Sequence, residues 1–268
     1  MAPENAPESV PETQINGVAE TPIRYFMRLS FNGRDFHGWQ IQQNANSIQK
    51  EVNNAMGLLL KCNIETIGCG RTDTGVHAGK FFLHFNFSKI EAVEEIIHQL
   101  NAILPPSIAI HAIFPVADHA HARFSATSRT YQYRIYQKKN PFKREFAYFF
   151  SPTLDIKKMN AVATLLYQQK DFSAFSKAHT QTFTNNCSIS LANFEKVEDE
   201  IVFTITADRF LRNMVRAIVG TMLQVGMNKI DETEFLRILN SGNRSEAGMS
   251  VPAHGLFLSD ITYPFPLF

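Results

Sequence analysis

The chain has 268 residues, 44% hydrophobic and 19% charged, enough for one large domain or two smaller ones with separate cores. No apolar run approaches the roughly 20 residues that span a bilayer, and Cys62, Cys69 and Cys187 are odd in number and lack CxxC pairing, which excludes a membrane span, a disulfide framework and a thiolate zinc site and fits a reducing cytoplasm. Net charge is +1; without four N-terminal glutamates, 26 basic side chains face 21 acidic ones (25 less four), so a nucleic-acid partner must show itself in local clusters.

Residues 1–22 hold Glu4, Glu8, Glu12, Glu20 and four prolines but no Lys or Arg, which predicts a disordered acidic tail rather than a secretory signal or a presequence. From Arg24 to Asn32, Tyr25, Met27, Leu29 and Phe31 alternate with Arg28 and Ser30, the period of a half-buried strand. After a loop with His37, Gly38 and Trp39, Ser47 is placed to cap a helix whose face is Ile48, Val52, Ala55, Met56 and Leu59. A short strand is predicted near Asn63 to Ile67, then a Gly-rich segment over 68–79. Phe81, Leu83, Phe85 and Phe87 alternate as a strand, and Val93, Ile96, Ile97 and Leu100 mark a helix that Pro105-Pro106 stops. Ile108, Ile110, Ala112 and Phe114 complete the set.

The resulting order is β-α-β-β-α-β, a split βαβ unit. A similar order recurs beyond residue 118. Strands are expected at Tyr131 to Ile135, near Ala147 to Phe150, at Ile189 to Phe194, at Ile201 to Ile205 and at Leu256 to Ile261. Helices are expected at Ile156 to Tyr167, Phe210 to Val225 and Asp231 to Leu239. The expected fold is α+β: two related ferredoxin-like halves, 23–117 and 118–268, forming a mostly antiparallel sheet with a central cleft.

Three features can carry chemistry. Gly68-Cys69-Gly70-Arg71-Thr72-Asp73-Thr74-Gly75 packs glycines around one Arg and one Asp, allowing close approach of backbone to a ligand, but no P-loop Lys-Ser/Thr follows. The same residues suit a plain turn that Asp73 orders through Asx-type hydrogen bonds. From Arg123 to Arg144, seven basic residues including Arg123, Arg129, Lys138, Lys139 and Lys143 interleave with Phe124, Tyr131, Tyr133, Tyr136 and Phe142 without one acidic residue. Such a run suits phosphates and unpaired bases, or a solvated strand face over core aromatics. Arg209, Arg212 and Arg216 recur at helical spacing, as on an exposed helix surface; a functional role requires one of them to point into the cleft and meet Asp73. His119-x-His121 lacks nearby carboxylates, so no metal site is expected.

The segment Gly70-Arg71-Thr72-Asp73-Thr74-Gly75-Val76-His77-Ala78 resembles the GRTDxGVHA signature of the TruA-type tRNA pseudouridine synthases. Phe36-His37-Gly38-Trp39-Gln40, His121 to Ala126 with Arg129-Thr130-Tyr131, Asp171 to Phe175, Met214 to Gly220 and Gly255 to Leu258 resemble further family motifs in the same order. The likeness runs from Arg24 to Tyr263. Thr182 to Asn186 stands where the family often has basic residues, and Cys69 where a small residue is usual.

The resemblance implies isomerisation of uridine to pseudouridine at positions 38, 39 and 40 in the anticodon stem-loop of tRNA, by a cytoplasmic homodimer without cofactor or metal. It implies Asp73 as the nucleophile, attacking ribose C1′ or uracil C6, Arg216 as its cationic partner, and Tyr131 as a catalytic residue that stacks on the flipped uracil, with proton transfer as a second role open to it. Arg71 is expected to fill the gap left by the base, Leu256 to line the base site, and Arg123, Arg129, Lys138, Lys139 and Lys143 to hold phosphates. Two rival functions stay open: an RNA-binding module without catalysis, and a metal-dependent nucleotide hydrolase.

Overall fold

The alternating apolar residues after Arg24 form β1 (Ile23–Phe31), but Phe26 on the opposite face is buried as completely as its neighbours. The reason lies at the other end of the chain. Tyr263 and Phe265 pack edge-on against the Phe26 ring, with centroids 5.3 and 6.0 Å away, and cover the face that alternation alone assigns to solvent. The computed structural model describes residues 22–177 and 183–267; the expected tail and Thr182 lie outside them.

In the first half, α1 (Ile48–Leu60) begins where Ser47 accepts a hydrogen bond from the Lys50 amide, and α2 (Val93–Ile103) ends at Leu104, which turns extended before Pro105. The strands are β2 (Ile67–Gly68), β3 (His77–Phe87) and β4 (Ile108–Val116). The second half holds β5 (Ser128–Tyr136), β6 (Tyr148–Phe149), α3 (Ile156–Leu165), β7 (Ile189–Val197), β8 (Glu200–Ala207), α4 (Met214–Gly226), α5 (Glu232–Ser241) and β9 (Leu256–Thr262). Two expectations need correction. β2 has two residues rather than five, and α4 starts at Met214, because Asn213 takes a left-handed conformation (φ 67°) that a helix cannot contain. Arg209 and Arg212 therefore precede the helix instead of sharing a stripe on it.

Among the described residues, all nine strands belong to one mixed, mostly antiparallel sheet in the order β4-β1-β3-β9-β5-β8-β7, with β2 on β3 and β6 on β5. The last strand closes it. β9 pairs parallel to β3 through His77–Phe257 and Ala78–Leu258, and antiparallel to β5. Two hydrophobic clusters flank this join: Leu258 and Ile261 enter the cluster built on α1 and β1, whereas Leu256 and Val76 enter the one built on α3, α4 and α5. The segment between β2 and β3 is thus anchored on both sides of the join. No helix among the described residues is long and apolar enough to cross a membrane.

Candidate active site

The loop from Cys69 to Val76 crosses the join with little regular structure, so its shape comes from turns and neighbours. The Val76 amide donates to the Asp73 carbonyl, and Gly75 at φ 77° occupies the position that a type II turn reserves for glycine. Against it lies the Phe36-His37-Gly38-Trp39 loop. Gly38 has φ 90°, and a Cβ there would stand 2.2 Å from the Thr72 carbonyl oxygen, so only glycine lets the two loops approach this closely.

His77 ends the loop. Its Nδ1 accepts from the Gly33 amide, which leaves the proton on Nε2 to donate to the His254 carbonyl. Burial lowers the His77 pKa to about 4, so the ring stays neutral and keeps this bridge.

Asp73 presents its carboxylate to two guanidinium groups. Arg216 from the first turn of α4 lies 3.6 Å from Oδ2, and Arg212 lies 3.7 Å from Oδ1. Arg216 is held in place because its Nε donates to the Val251 carbonyl, while the Arg212 side chain is 61% exposed. Among the described residues the Asp73 side chain accepts no turn amide, which removes the reading of Asp73 as an Asx-turn residue. A carboxylate with one face on two cations and a quarter of its surface open suits attack on an electrophilic carbon.

Tyr131 stands on β5 between Leu258 of β9 and Ile205 of β8, edge-on to Phe210 at 5.1 Å. Burial first, then the proximity of Cys69 and Asp73, pushes its hydroxyl well above the usual phenol range. The hydroxyl stays protonated, so the ring rather than a phenolate is what Tyr131 offers.

The remaining expected site residues separate. Arg71 is exposed beside Asp73, and Leu256 is 5% exposed within the second core, across from Tyr133. The basic run is not one patch, because β5 sets Arg123 and Arg129 at one end and Lys138 and Lys139 at the other, roughly 30 Å apart for nine extended residues. Arg129 donates to the carbonyls of Ala126, Asp208, Cys69 and Arg123 and so ties the 121–126 loop to the segments around Cys69 and Asp208. Lys143 is ion-paired with Asp199 and with Glu200 at 2.7 Å. His121 uses Nδ1 to accept from the Arg123 and Phe124 amides, and among the described residues no three His, Cys, Asp or Glu side chains gather as a metal set.

Of the three arginines that the sequence offers for one contact with Asp73, two meet it, Arg212 from ahead of α4 and Arg216 from within it. Sequence reasoning missed Phe210 beside Tyr131.

A profile of the tRNA pseudouridine synthase family matches residues 163–264. Over 246 residues the chain is 46% identical to the tRNA pseudouridine synthase A of Parabacteroides distasonis, covering 91% of this chain and 98% of that one. The enzyme of the same name from Bacteroides thetaiotaomicron is 44% identical, with 91% and 92% covered, and that of Bacillus subtilis 36% identical, with 90% and 99% covered. Similarity of this extent means that the chain belongs to the tRNA pseudouridine synthase A family.

Proposed function

We propose that this protein isomerises uridine to pseudouridine in tRNA, with Asp73 as the nucleophile. The observation that carries the reading is the Asp73 carboxylate itself, held by Arg216 and Arg212 and unused by its own turn. The Asp73 carboxylate bonds to the nucleoside as the bond from ribose C1′ to uracil N1 breaks, the base turns, C5 bonds to C1′ and the carboxylate is released, and the proton lost from C5 is balanced by one taken up at N1. Atoms and electrons balance without an oxidant or reductant, so the reaction calls for no cofactor. The base has to leave its stack to reach Asp73, at a cost of a few kcal/mol, and Arg71 is exposed next to the nucleophile to fill the gap. Tyr131 supplies the stacking face, and Leu256 backs the base site from within the core.

Phosphate contacts fall to Arg123, Lys138 and Lys139, whereas Arg129 and Lys143 spend their donors inside the protein and support the loops. The curated relatives carry tRNA in their names, and the anticodon stem-loop positions 38, 39 and 40, like the homodimer, rest on the family resemblance. Two ferredoxin-like halves are supported by strand order: β4-β1-β3 with β2 outside it is repeated as β9-β5-β8-β7. The unpaired thiols of Cys62, Cys69 and Cys187 agree with a cytoplasmic setting.

Purified protein and tRNA labelled with tritium at uracil C5 test the reading. Release of tritium that persists in chelator supports it and excludes the metal-dependent hydrolase. Tight tRNA binding with no release would leave a binding module instead.

A further inference from the structure

The 121–126 loop presents an aromatic ring that neither core uses. Phe124 is 75% exposed, and the Arg123 guanidinium stands 5.4 Å from its ring centre. The backbone beneath is fixed from several directions. Besides the His121 contacts, His84 Nδ1 accepts from the Ala122 amide, the Tyr263 hydroxyl donates to the Ala122 carbonyl, and Arg129 donates to the Arg123 carbonyl. The His121 ring, with its centre 4.4 Å from that of Phe124, covers part of one side and orients the ring, while most of its apolar surface stays in water, outside both cores.

The surroundings are strongly cationic. After burial, Arg71, Arg129 and Arg209 are what depress the Arg123 guanidinium, and none of these four arginines forms an ion pair among the described residues. Arg71 is two residues from Asp73, so the cluster begins within about 7 Å of chain from the reacting carboxylate. An ordered, exposed aromatic ring inside a guanidinium cluster matches a polyanion that carries flat apolar groups, which describes an opened RNA strand.

We propose that Phe124, braced by Arg123, is the stacking platform for an unpaired nucleobase flanking the uridine held at Asp73. The platform rests on the RNA-modifying function proposed above. It holds the strand open beside the reaction site, while Arg123 neutralises the phosphate next to the stacked base.

The test compares tRNA affinity for the parent, Phe124→Ala, Phe124→Trp and Arg123→Ala over a range of salt, together with thermal midpoints and product formation. Phe124→Ala should weaken binding by roughly 5- to 100-fold, as loss of one stacked base does, with an unchanged salt slope because no charge is removed. Phe124→Trp should restore affinity, and Arg123→Ala should reduce the salt slope by about one unit. Parent-like binding by Phe124→Ala overturns the platform, and so does a Trp variant as weak as the Ala variant. A lowered thermal midpoint shared by both would make Phe124 a packing residue, which also overturns it. If the parent binds tRNA through Phe124 yet forms no pseudouridine, the platform stands and the proposed reaction falls.

Discussion

Asp73 faces two guanidinium groups and no turn amide, so replacing it with Asn removes charge and nucleophilicity while leaving the loop's own hydrogen bonds intact. Asp73→Asn should fold and bind tRNA like the parent and lose product formation by roughly 10⁴-fold or more, read by tritium release. Substantial product from this variant would sink the nucleophile assignment. For Tyr131 the raised hydroxyl pKa points to stacking, so Tyr131→Phe should keep tRNA affinity and most of its rate. A drop of about 10²-fold or more in single-turnover rate would instead give the hydroxyl a part in proton transfer. The motif made Asp73, Tyr131 and Arg216 legible in the sequence. The second contact, from Arg212, was not legible, because the sequence asks for one arginine of three and the approach of Arg212 depends on Asn213 breaking the helix ahead of α4. Nor were the internal roles of Arg129 and Lys143, whose acceptors at Asp208, Cys69, Asp199 and Glu200 lie far along the chain.

Where hydrophobic period was strong and locally satisfied, as in α1 and β3, elements could be read directly; β2 is only two residues long and pairs with β3 through Ile67–His84 and Gly68–Leu83. The two loops that form the site depend on contact between elements rather than on period. Gly38 is the sharpest case, since a side chain there meets the Thr72 carbonyl, whereas a Cβ on Gly70 meets nothing within 4 Å. Gly38→Ala should displace the Asp73 loop and lower kcat/KM by about 10²-fold, the cost expected of a misplacement near 1 Å, and Gly70→Ala should stay close to the parent. Equal activities for the two variants would show that the loops do not set each other's position. At the far end of β5, Lys138 and Lys139 are exposed with no acidic neighbour in their own segment, so Ala substitution of both should reduce the salt slope of tRNA binding by about two units. The corresponding change at Lys143 should leave the slope alone and loosen the β7-β8 hairpin that carries Asp199 and Glu200.

The whole molecule is closed by contacts that no local pattern announces, because β9 returns to pair with β3 and buried histidines pin the loops on either side of that join. His77 bridges Gly33 and His254, and His84 accepts from Ala122 in the connection between the halves. Burial lowers the pKa of each to about 4 from an ordinary 6.5. The unfolded chain therefore takes up protons between those values that the folded chain refuses, so stability is full above about pH 6.5 and is lost as pH falls towards 4. At pH 5 the loss is about 2 kcal/mol for each histidine. Burial lowers His111, His121 and His254 as well, which adds loss of the same sign. Urea unfolding at pH 7 and pH 5 should show a lower midpoint at pH 5 with an unchanged m-value. His84→Asn, whose amide oxygen can still accept from Ala122, should be less stable at pH 7 yet lose less on acidification than the parent. The two halves unfold as one unit if the sheet is continuous through β9, so activity and structure should be lost at the same urea concentration at both pH values. Midpoints that do not move between pH 7 and pH 5 would mean that the histidines carry their protons in the fold and do not hold the join in the way the hydrogen bonds require.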